Sequence, residues 1–315
     1  MLLTQLDGLL VVDKPVGPTS HDIVARMRRI LRERRIGHTG TLDPLASGVL
    51  LLVIGRATRL ARFLNADAKR YEATIQLGYS TDTYDALGQP TSAAFEGPMP
   101  SRDRIDATLD AFRGTFLQRP PAFSAKKVDG RRSYRLARAG RRMPSPESAA
   151  PALTPVAVTV ARLDVLDVKD HLIRIDLTCS SGFYVRSLAH DLGAALGIGA
   201  HLTALRRTEA SGHTLAESIP LATLDEADGP TRAREAVIPL ADVVADVPRF
   251  TLTPEGVRRA MSGCDLLARD FSSEASLGGS VAVPARVRLL DGAQNLVGIA
   301  DRTAAGLLHP VVVLM

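Results

Sequence analysis

The sequence contains few of the residues that build disulfide frameworks and metal sites. Its 315 residues include two cysteines and no tryptophan, and aromatic residues make up 4% of the chain. Because Cys179 and Cys264 lie far apart in the sequence, they cannot supply a multi-cysteine metal site. Two isolated cysteines are typical of a reducing compartment, and a disulfide between them is the less favoured alternative.

Long apolar runs and targeting signals are also absent. No stretch approaches the ~18 to 20 apolar residues that a helix needs to cross a bilayer. The first residues, MLLTQLDGLLVVDKP, lack a basic segment and are interrupted by Asp7 and Asp13, which argues against a secretory signal peptide. We therefore expect a cytoplasmic protein that does not bind membranes, with one large domain or a large and a small one.

Lysine is scarce, so almost all of the positive charge comes from arginine. Lysine occupies five positions, whereas lysine and arginine together number 39 and the formal net charge is +5. The planar guanidinium suits phosphate, but a GC-rich genome would give the same bias, and composition leaves both open. Basic residues concentrate in residues 26–35 and again in 126–142. The second segment contains eight basic residues and one acidic residue. Such segments indicate either a phosphate-binding surface or a solvated loop.

Familiar catalytic motifs are missing, which directs attention to one aspartate. The chain has no GxxxxGK[ST] phosphate loop, no HExxH and no GxSxG. The stretch GHTGTLDPLASG, residues 37–48, places Asp43 alone in a glycine-rich turn before the apolar run VLLLVIG. A single carboxylate can act as a nucleophile if a fixed cation keeps it ionised and oriented. Asp-Pro and glycine also form turns that carry no chemistry, so the spacing alone leaves both interpretations open.

Local patterns predict the main elements. Residues 6–15 read as a strand, and Thr19, Ser20 and Asp22 as caps of a helix that continues to about Arg34. VLLLVIG is typical of a strand covered on both faces, and the stretch ATRLARFLNADAKR, residues 57–70, is predicted to be helical. From Pro248 the sequence pattern changes and predicts short apolar strands around the helical stretch PEGVRRAMSG. We expect a domain boundary near 248 and a small β-rich module after it.

Several motifs together resemble one protein family. GHTGTLDPLASGVLLLVIGRATR is similar to the catalytic motif of the tRNA pseudouridine synthase B (TruB) family. The resemblance continues, in the family's order, over about residues 8–210. It is carried by GLLVVDKPVGPTSHDIV, KRYEATIQLGYSTDTYDALG, PPAFSAKKVDGRRSYRLARAG, CSSGFYVRSLAHDLG and AHLTALRRT.

The resemblance implies an α+β fold in two domains. Residues 1–248 would form a pseudouridine synthase catalytic domain, with a mixed, largely antiparallel central sheet flanked by helices and loops. Residues 249–315 would form a small β-rich RNA-binding domain similar to PUA. The implied activity is isomerisation of uridine-55 in the T-loop of tRNA, with no metal or other cofactor. The expected partner is tRNA, bound through its T-arm, elbow and acceptor stem by a monomer.

The resemblance also assigns three catalytic residues. Asp43 matches the catalytic aspartate, whose attack leads to cleavage of the N-glycosidic bond. Attack at C1′, attack at C6 and elimination to a glycal all remain open. Tyr71 matches the tyrosine that stacks on the flipped uracil and takes the C5 proton, and such stacking contributes ~1 to 3 kcal/mol per base. Arg186 matches the arginine that pairs with the aspartate, which is the cation that a lone carboxylate requires.

Further residues are expected to bind the substrate. His38 matches the histidine that fills the space left by the extruded base, and Leu205 matches a residue bordering that base. If the stretch FYVRS is extended, Tyr184 projects from the same face as Arg186 and lines the same pocket. Lys14 is expected to be structural. A basic thumb over about residues 120–150 would close over the T-arm through Lys126, Lys127, Arg131 and Arg132.

Two other functions stay open at this point. The catalytic subunit of guide-RNA-dependent box H/ACA particles shares the aspartate motif and a related terminal domain. The surroundings of Asp43 and the lack of an N-terminal extension favour the stand-alone type. A different class is an RNA-folding factor that reshapes the tRNA elbow and whose chemistry is secondary.

Overall fold

The computed structural model describes residues 6–64, 68–122, 154–272 and 284–315, with the backbone alone at 127–128 and 131–132. Helices and strands both occur along this part of the chain, and most strand pairs of its large sheet are antiparallel, which confirms the α+β class. Lys126 lies outside the described residues, as do the side chains of Lys127, Arg131 and Arg132. Their contacts with RNA therefore stay a prediction.

The strands are numbered in chain order. They are β1 (Gly8–Lys14), β2 (Ile36–Thr39), β3 (Ala46–Ile54), β4 (Lys69–Leu77), β5 (Gly114–Gln118), β6 (Lys127–Val128), β7 (Arg131–Arg132), β8 (Val156–Lys169), β9 (Leu172–Cys179), β10 (Ala200–Ala210), β11 (His213–Thr214), β12 (Ile219–Pro220), β13 (Ile238–Pro239), β14 (Arg249–Thr251), β15 (Arg286–Leu290), β16 (Leu296–Arg302) and β17 (Leu308–Val313).

A large mixed sheet dominates the fold. Eleven strands belong to it, and its main path runs β12-β1-β3-β10-β4-β9-β8-β5. The pairs β3–β10 and β1–β12 are parallel and the others along this path are antiparallel, as expected of a mixed, largely antiparallel sheet. β3 is buried along nearly its whole length, which confirms that the run VLLLVIG is covered on both faces.

The described helices are α1 (Ser20–Leu31), α2 (Ala61–Leu64), α3 (Arg102–Leu109), α4 (Val185–Leu196), α5 (Leu221–Leu224), α6 (Gly229–Glu235) and α7 (Pro254–Met261). α1 begins with a capping box, because Thr19 and Asp22 each accept a hydrogen bond from the other's backbone N–H. It ends three residues before the predicted end at Arg34, since Arg32 adopts a left-handed conformation at its C-cap.

The helix predicted over residues 57–70 is wrong in its second half. The chain forms a 3₁₀ turn over Gly55–Leu60 and then the short α2, and β4 already begins at Lys69. The alternating pattern of KRYEATIQL is itself typical of a strand, and this strand pairs with β10 and β9 on either side, so it takes Lys69 and Arg70 from the end of the predicted helix.

A second sheet follows Pro248. Its four strands have the order β14-β15-β16-β17, with α7 inserted after the first, so a small β-rich unit at this end of the chain is confirmed. The unit contacts the large sheet, since Ile299 and Leu314 share an apolar core with Val11 of β1. Arg56 Nη1 also donates to the Leu314 carbonyl at 3.0 Å. In the part of the chain described, no helix is long and apolar enough to span a membrane.

Candidate active site

Asp43 lies in the connection between β2 and β3, and buried polar contacts hold this turn in place. The buried Ser20 hydroxyl accepts the Leu42 N–H at 2.9 Å and donates to the Leu42 carbonyl at 3.1 Å. On the other side of Asp43, the Pro44 carbonyl accepts the Gly17 N–H at 2.8 Å. The backbone on both sides of the carboxylate is therefore tied to the DKPVGPTS segment.

A buried arginine meets this carboxylate. Arg186 Nε donates to Asp43 Oδ2 at 2.8 Å, although 143 residues separate the two in sequence. The Arg186 side chain is 5% exposed, whereas that of Asp43 is 38% exposed. Arg186 Nη1 also donates to the Thr83 carbonyl at 3.0 Å, which fixes the plane of the guanidinium. The structure thus brings together the two residues that the sequence analysis paired, and it leaves the carboxylate open to a substrate.

Asp85, which the sequence alone indicates to be a turn carboxylate, also lies close to Arg186. Its Oδ2 lies 3.8 Å from Arg186 Nε, and its side chain is 7% exposed. Its Oδ1 accepts hydrogen bonds from the Thr83 hydroxyl at 2.6 Å and from the Leu87 N–H at 3.0 Å. These local bonds are the ones that any turn aspartate makes, so the TDTYDALG segment gives no separate signal of the contact with Arg186.

Tyr71 and Leu205 lie on neighbouring strands beside the turn. Leu205 of β10 pairs with Ala46, at the start of β3, on one side and with β4 on the other. Tyr71 of β4 pairs with Arg207 of β10 and is 8% exposed. Burial raises the pKa of the Tyr71 phenol, and the Arg207 guanidinium opposes that rise. The Tyr71 side chain is therefore buried and neutral, and the Arg207 guanidinium lies close to it.

Arg207 and Lys14 are buried cations near the turn that carries Asp43. Arg207 is fully buried, and it donates to the Val49 carbonyl at 2.7 Å and to the Gly40 carbonyl at 2.8 Å. It therefore fastens both ends of the turn that carries Asp43. Lys14 donates to the Pro15 carbonyl at 2.8 Å, and burial lowers its pKa to about 8 against the opposing effect of Asp43.

The FYVRS stretch is not extended throughout, so the condition for Tyr184 and Arg186 to share a strand face does not hold, and the role of Tyr184 in substrate binding stays a prediction. α4 begins at Val185, which makes Tyr184 its N-cap residue and puts Arg186 in the first turn. The Tyr184 backbone is held by Gln118, whose side-chain amide accepts the Tyr184 N–H at 2.8 Å and donates to its carbonyl at 3.0 Å. β5 ends at Gln118, so this contact joins the end of β5 to the helix that carries Arg186.

A groove and two histidine rings lie near the turn that carries Asp43. A groove of about 310 Å³ lies beside the turn, and its lining includes Val16, Leu45 and Leu205. His38 lies on β2, and its ring meets that of His21 edge to face at 5.9 Å. Within the described residues, no group of three or more His, Cys, Asp and Glu side chains is arranged to hold a metal ion.

Comparisons with known proteins cover most of the chain. A family model described as TruB family pseudouridylate synthase (N terminal domain) matches residues 28–185, and the tRNA pseudouridylate synthase B C-terminal domain matches residues 186–247. A tRNA pseudouridine synthase B of Solibacter usitatus is 41% identical over 98% of this chain and 100% of its own length. The protein of that name from Thermobifida fusca is 46% identical over 82% of this chain and 85% of its own.

Solved structures agree with this assignment at the level of the fold. A chain from an H/ACA RNP bound to a substrate RNA containing 2′-deoxyuridine aligns with a TM-score of 0.69 and 25% identity. The alignment covers 98% of this chain and 85% of the other. The TruB models together account for both the Asp43 turn and the helix that carries Arg186, and the chain belongs to the TruB family of pseudouridylate synthases.

Proposed function

We propose that this chain isomerises a uridine of tRNA to pseudouridine and that the target is uridine-55 of the T-loop. The contact between Asp43 and Arg186 carries the proposal, because it gives a partly exposed carboxylate a fixed cationic partner. The names of the relatives, which identify each as a tRNA pseudouridine synthase B, support tRNA as the substrate.

The reaction breaks the N1–C1′ bond of the nucleotide and forms a C5–C1′ bond in its place. The proton on C5 is lost and N1 ends with a proton, so nothing is oxidised and no atom is added. The Asp43 carboxylate acts as the nucleophile, at C1′ or C6, or it assists elimination to a glycal. Arg186 aims this carboxylate, since its buried guanidinium donates a hydrogen bond to Oδ2.

The neighbouring side chains form the base-binding part of the proposed site. Tyr71 stacks on the flipped uracil and relays a proton. Its phenol gives up its own proton, which N1 gains, and takes the one from C5, while the Arg207 guanidinium stabilises the phenol oxygen in between. Leu205 borders the base from β10. His38 enters the space that the base leaves in the RNA loop, which offsets part of the cost of extruding it.

The remaining RNA contacts are proposed from the sequence. The thumb, with Lys126, Lys127, Arg131 and Arg132, binds T-arm phosphates, so binding weakens steeply as salt is raised. Residues 1–248 act as the catalytic domain, and residues 249–315 form a PUA-like domain at the acceptor stem. A monomer carries out the reaction in the cytoplasm.

Mapping of pseudouridine in tRNA transcripts tests the proposal. Wild-type protein is incubated with an unmodified transcript and with one that has cytidine at position 55, and pseudouridine is located by mass spectrometry. Pseudouridine is expected at position 55 of the first transcript only. Asp43→Asn should abolish it and leave tRNA binding intact, whereas the matched control Asp164→Asn, at an exposed carboxylate paired with Arg162, should have no effect.

The same experiment separates the two alternatives. A guide-RNA-dependent enzyme would leave the bare transcript unmodified until a guide was added. A folding factor would keep its biological effect as Asp43→Asn, so rescue of a strain lacking the protein by that variant would favour this reading. Undiminished isomerisation by Asp43→Asn would refute the proposed chemistry.

A further inference from the structure

Two aromatic rings lie stacked just beside the candidate site. Tyr84 belongs to the turn that follows β4, and His190 lies on α4, one helical turn after Arg186. Their ring centroids are 3.8 Å apart and the ring planes differ by 12°. Burial lowers the pKa of His190, so the imidazole is neutral at pH 7 and stacks without a charge.

The stack forms despite two local costs. Tyr84 has a φ of 64°, in the left-handed region where a residue with a Cβ is disfavoured. His190 Nδ1 is buried and has no hydrogen-bond partner among the described residues, and an unsatisfied buried polar atom also costs free energy. Backbone strain of this kind is found where the surrounding structure requires the conformation.

Tyr84 lies between the two residues that contact Arg186 from this turn. The carbonyl of Thr83 accepts from Arg186 Nη1 at 3.0 Å, and Asp85 Oδ2 lies 3.8 Å from Arg186 Nε. The Tyr84 carbonyl accepts the Leu202 N–H at 3.0 Å, which anchors the backbone to β10. The Tyr84 ring anchors the other side of the same residue to α4.

We propose that Tyr84 and His190 are a positioning pair, whose stacking sets the distance between the 81–88 turn and α4 and thereby aims Arg186 at Asp43. This inference rests on the proposed function, since it concerns the same carboxylate. Neither ring touches the reacting atoms in this role. The pair acts through Arg186, because the turn and the helix hold opposite ends of that side chain.

Tyr84→Gly separates the ring from the backbone. Glycine adopts a φ of 64° without strain, so this variant removes the stacking surface and leaves the turn conformation allowed. We expect the single-turnover rate to fall about 100-fold, the scale of a 1 Å misplacement, with an unchanged tRNA Kd. Tyr84→Phe keeps the ring and should restore the wild-type rate, since the proposal needs the stacked face and not the hydroxyl.

A matched control uses another tyrosine–histidine pair. Tyr79 and His201 have ring centroids 4.5 Å apart and planes 43° apart, and this tilted pair does not flank the residues that hold Arg186. Tyr79→Ala should lower the thermal midpoint and leave the single-turnover rate unchanged. If Tyr84→Gly merely loosened the fold, the two variants would behave alike.

Two readouts distinguish positioning from general support. Tyr84→Gly should add no further loss to Arg186→Lys, because both changes disturb the same contact, and full additivity would overturn the proposal.

The side-chain Nε–H resonance of Arg186 in ¹⁵N NMR reports the hydrogen bond to Asp43 without any substrate. It should shift in Tyr84→Gly and stay unchanged in Tyr84→Phe. An unchanged resonance in Tyr84→Gly would refute the positioning role. A wild-type protein that proved inactive on tRNA would instead count against the proposed function alone, since the resonance is measured without substrate.

Discussion

Replacing Arg186 by lysine tests the central contact with the smallest change in charge. The guanidinium reaches two acceptors at once, Asp43 Oδ2 at 2.8 Å through Nε and the Thr83 carbonyl at 3.0 Å through Nη1. A lysine ammonium is a single point on a flexible stem and does not reproduce this planar geometry. Arg186→Lys therefore keeps the positive charge in the site but loses the fixed direction of the Asp43 carboxylate.

The size of the effect follows from the burial of the pair. A hydrogen bond to a charged group contributes about 1.5 to 3 kcal/mol, which corresponds to about 10- to 150-fold in rate if it is lost in the transition state. The lower part of this range applies to the ground state, because Asp43 is 38% exposed and water replaces part of the lost contact. The upper part applies to the reaction, because a base bound against Asp43 in the proposed site excludes that water.

The assay is a single-turnover measurement on an unmodified tRNA transcript, with binding measured separately. We expect Arg186→Lys to lower the rate at least about 10-fold and to change the tRNA Kd little, since the contact is intramolecular. The matched control is Arg113→Lys, at an arginine that also joins a carboxylate, Asp106 at 2.6 Å, to a backbone carbonyl, Leu163 at 2.9 Å. Neither partner belongs to the site, so its rate should equal that of the wild type. A wild-type rate for Arg186→Lys would refute the claim that the guanidinium orients Asp43.

Two further predictions concern stability. A Cβ at Gly48, where φ is 102°, would lie 2.1 Å from the Arg207 carbonyl oxygen, whereas a Cβ at Gly17, with φ of 112°, has no atom within 4 Å. Gly48→Ala should therefore lower the free energy of unfolding, measured with urea, by more than about 3 kcal/mol. Gly17→Ala should lower it only by the roughly 1 kcal/mol of backbone strain. Equal losses would show that small shifts of the backbone relieve the close approach at Gly48. Burial raises the pKa of Asp191 from 3.8 to about 6, so the folded protein binds this proton more tightly than the unfolded chain and stability falls as pH rises from 3.8 to 6. Asp191→Asn should raise the free energy of unfolding at pH 7.5 by about 1 to 2 kcal/mol, after a discount for partial exposure. It should change that free energy little near pH 4, and a gain of the same size at both pH values would refute this origin.

The sequence predicted best those features that depend on neighbouring residues. The β3 strand follows from an unbroken apolar run, and the capped start of α1 follows from Thr19 and Asp22. The end of α1 and the helix predicted over 57–70 were wrong, because a left-handed C-cap and the pairing of β4 between two strands depend on the rest of the fold.

The candidate site was predictable only in part for the same reason. Asp43 stands out because it is alone in its turn, but no local rule joins it to Arg186 across 143 positions, and family resemblance alone supplied that pair. The sequence indicates only a turn carboxylate at Asp85, and its bonds to Thr83 and Leu87 are those of an ordinary turn. Its approach to Arg186 arises from the packing of that turn on α4, which no single segment encodes.

The charges around Asp43 explain how one carboxylate can serve such a site. Arg186, Arg207 and Lys14 are buried cations near the turn, whereas the carboxylates close to Arg186 are those of Asp43 and Asp85. Lys14 is mostly protonated at pH 7, since its pKa is about 8. The buried positive charge holds the one carboxylate that reaches solvent in a fixed position, and it attracts an RNA backbone to the same place. A second catalytic acid would weaken both effects, so the isolation of Asp43 in its turn is what this electrostatic arrangement requires.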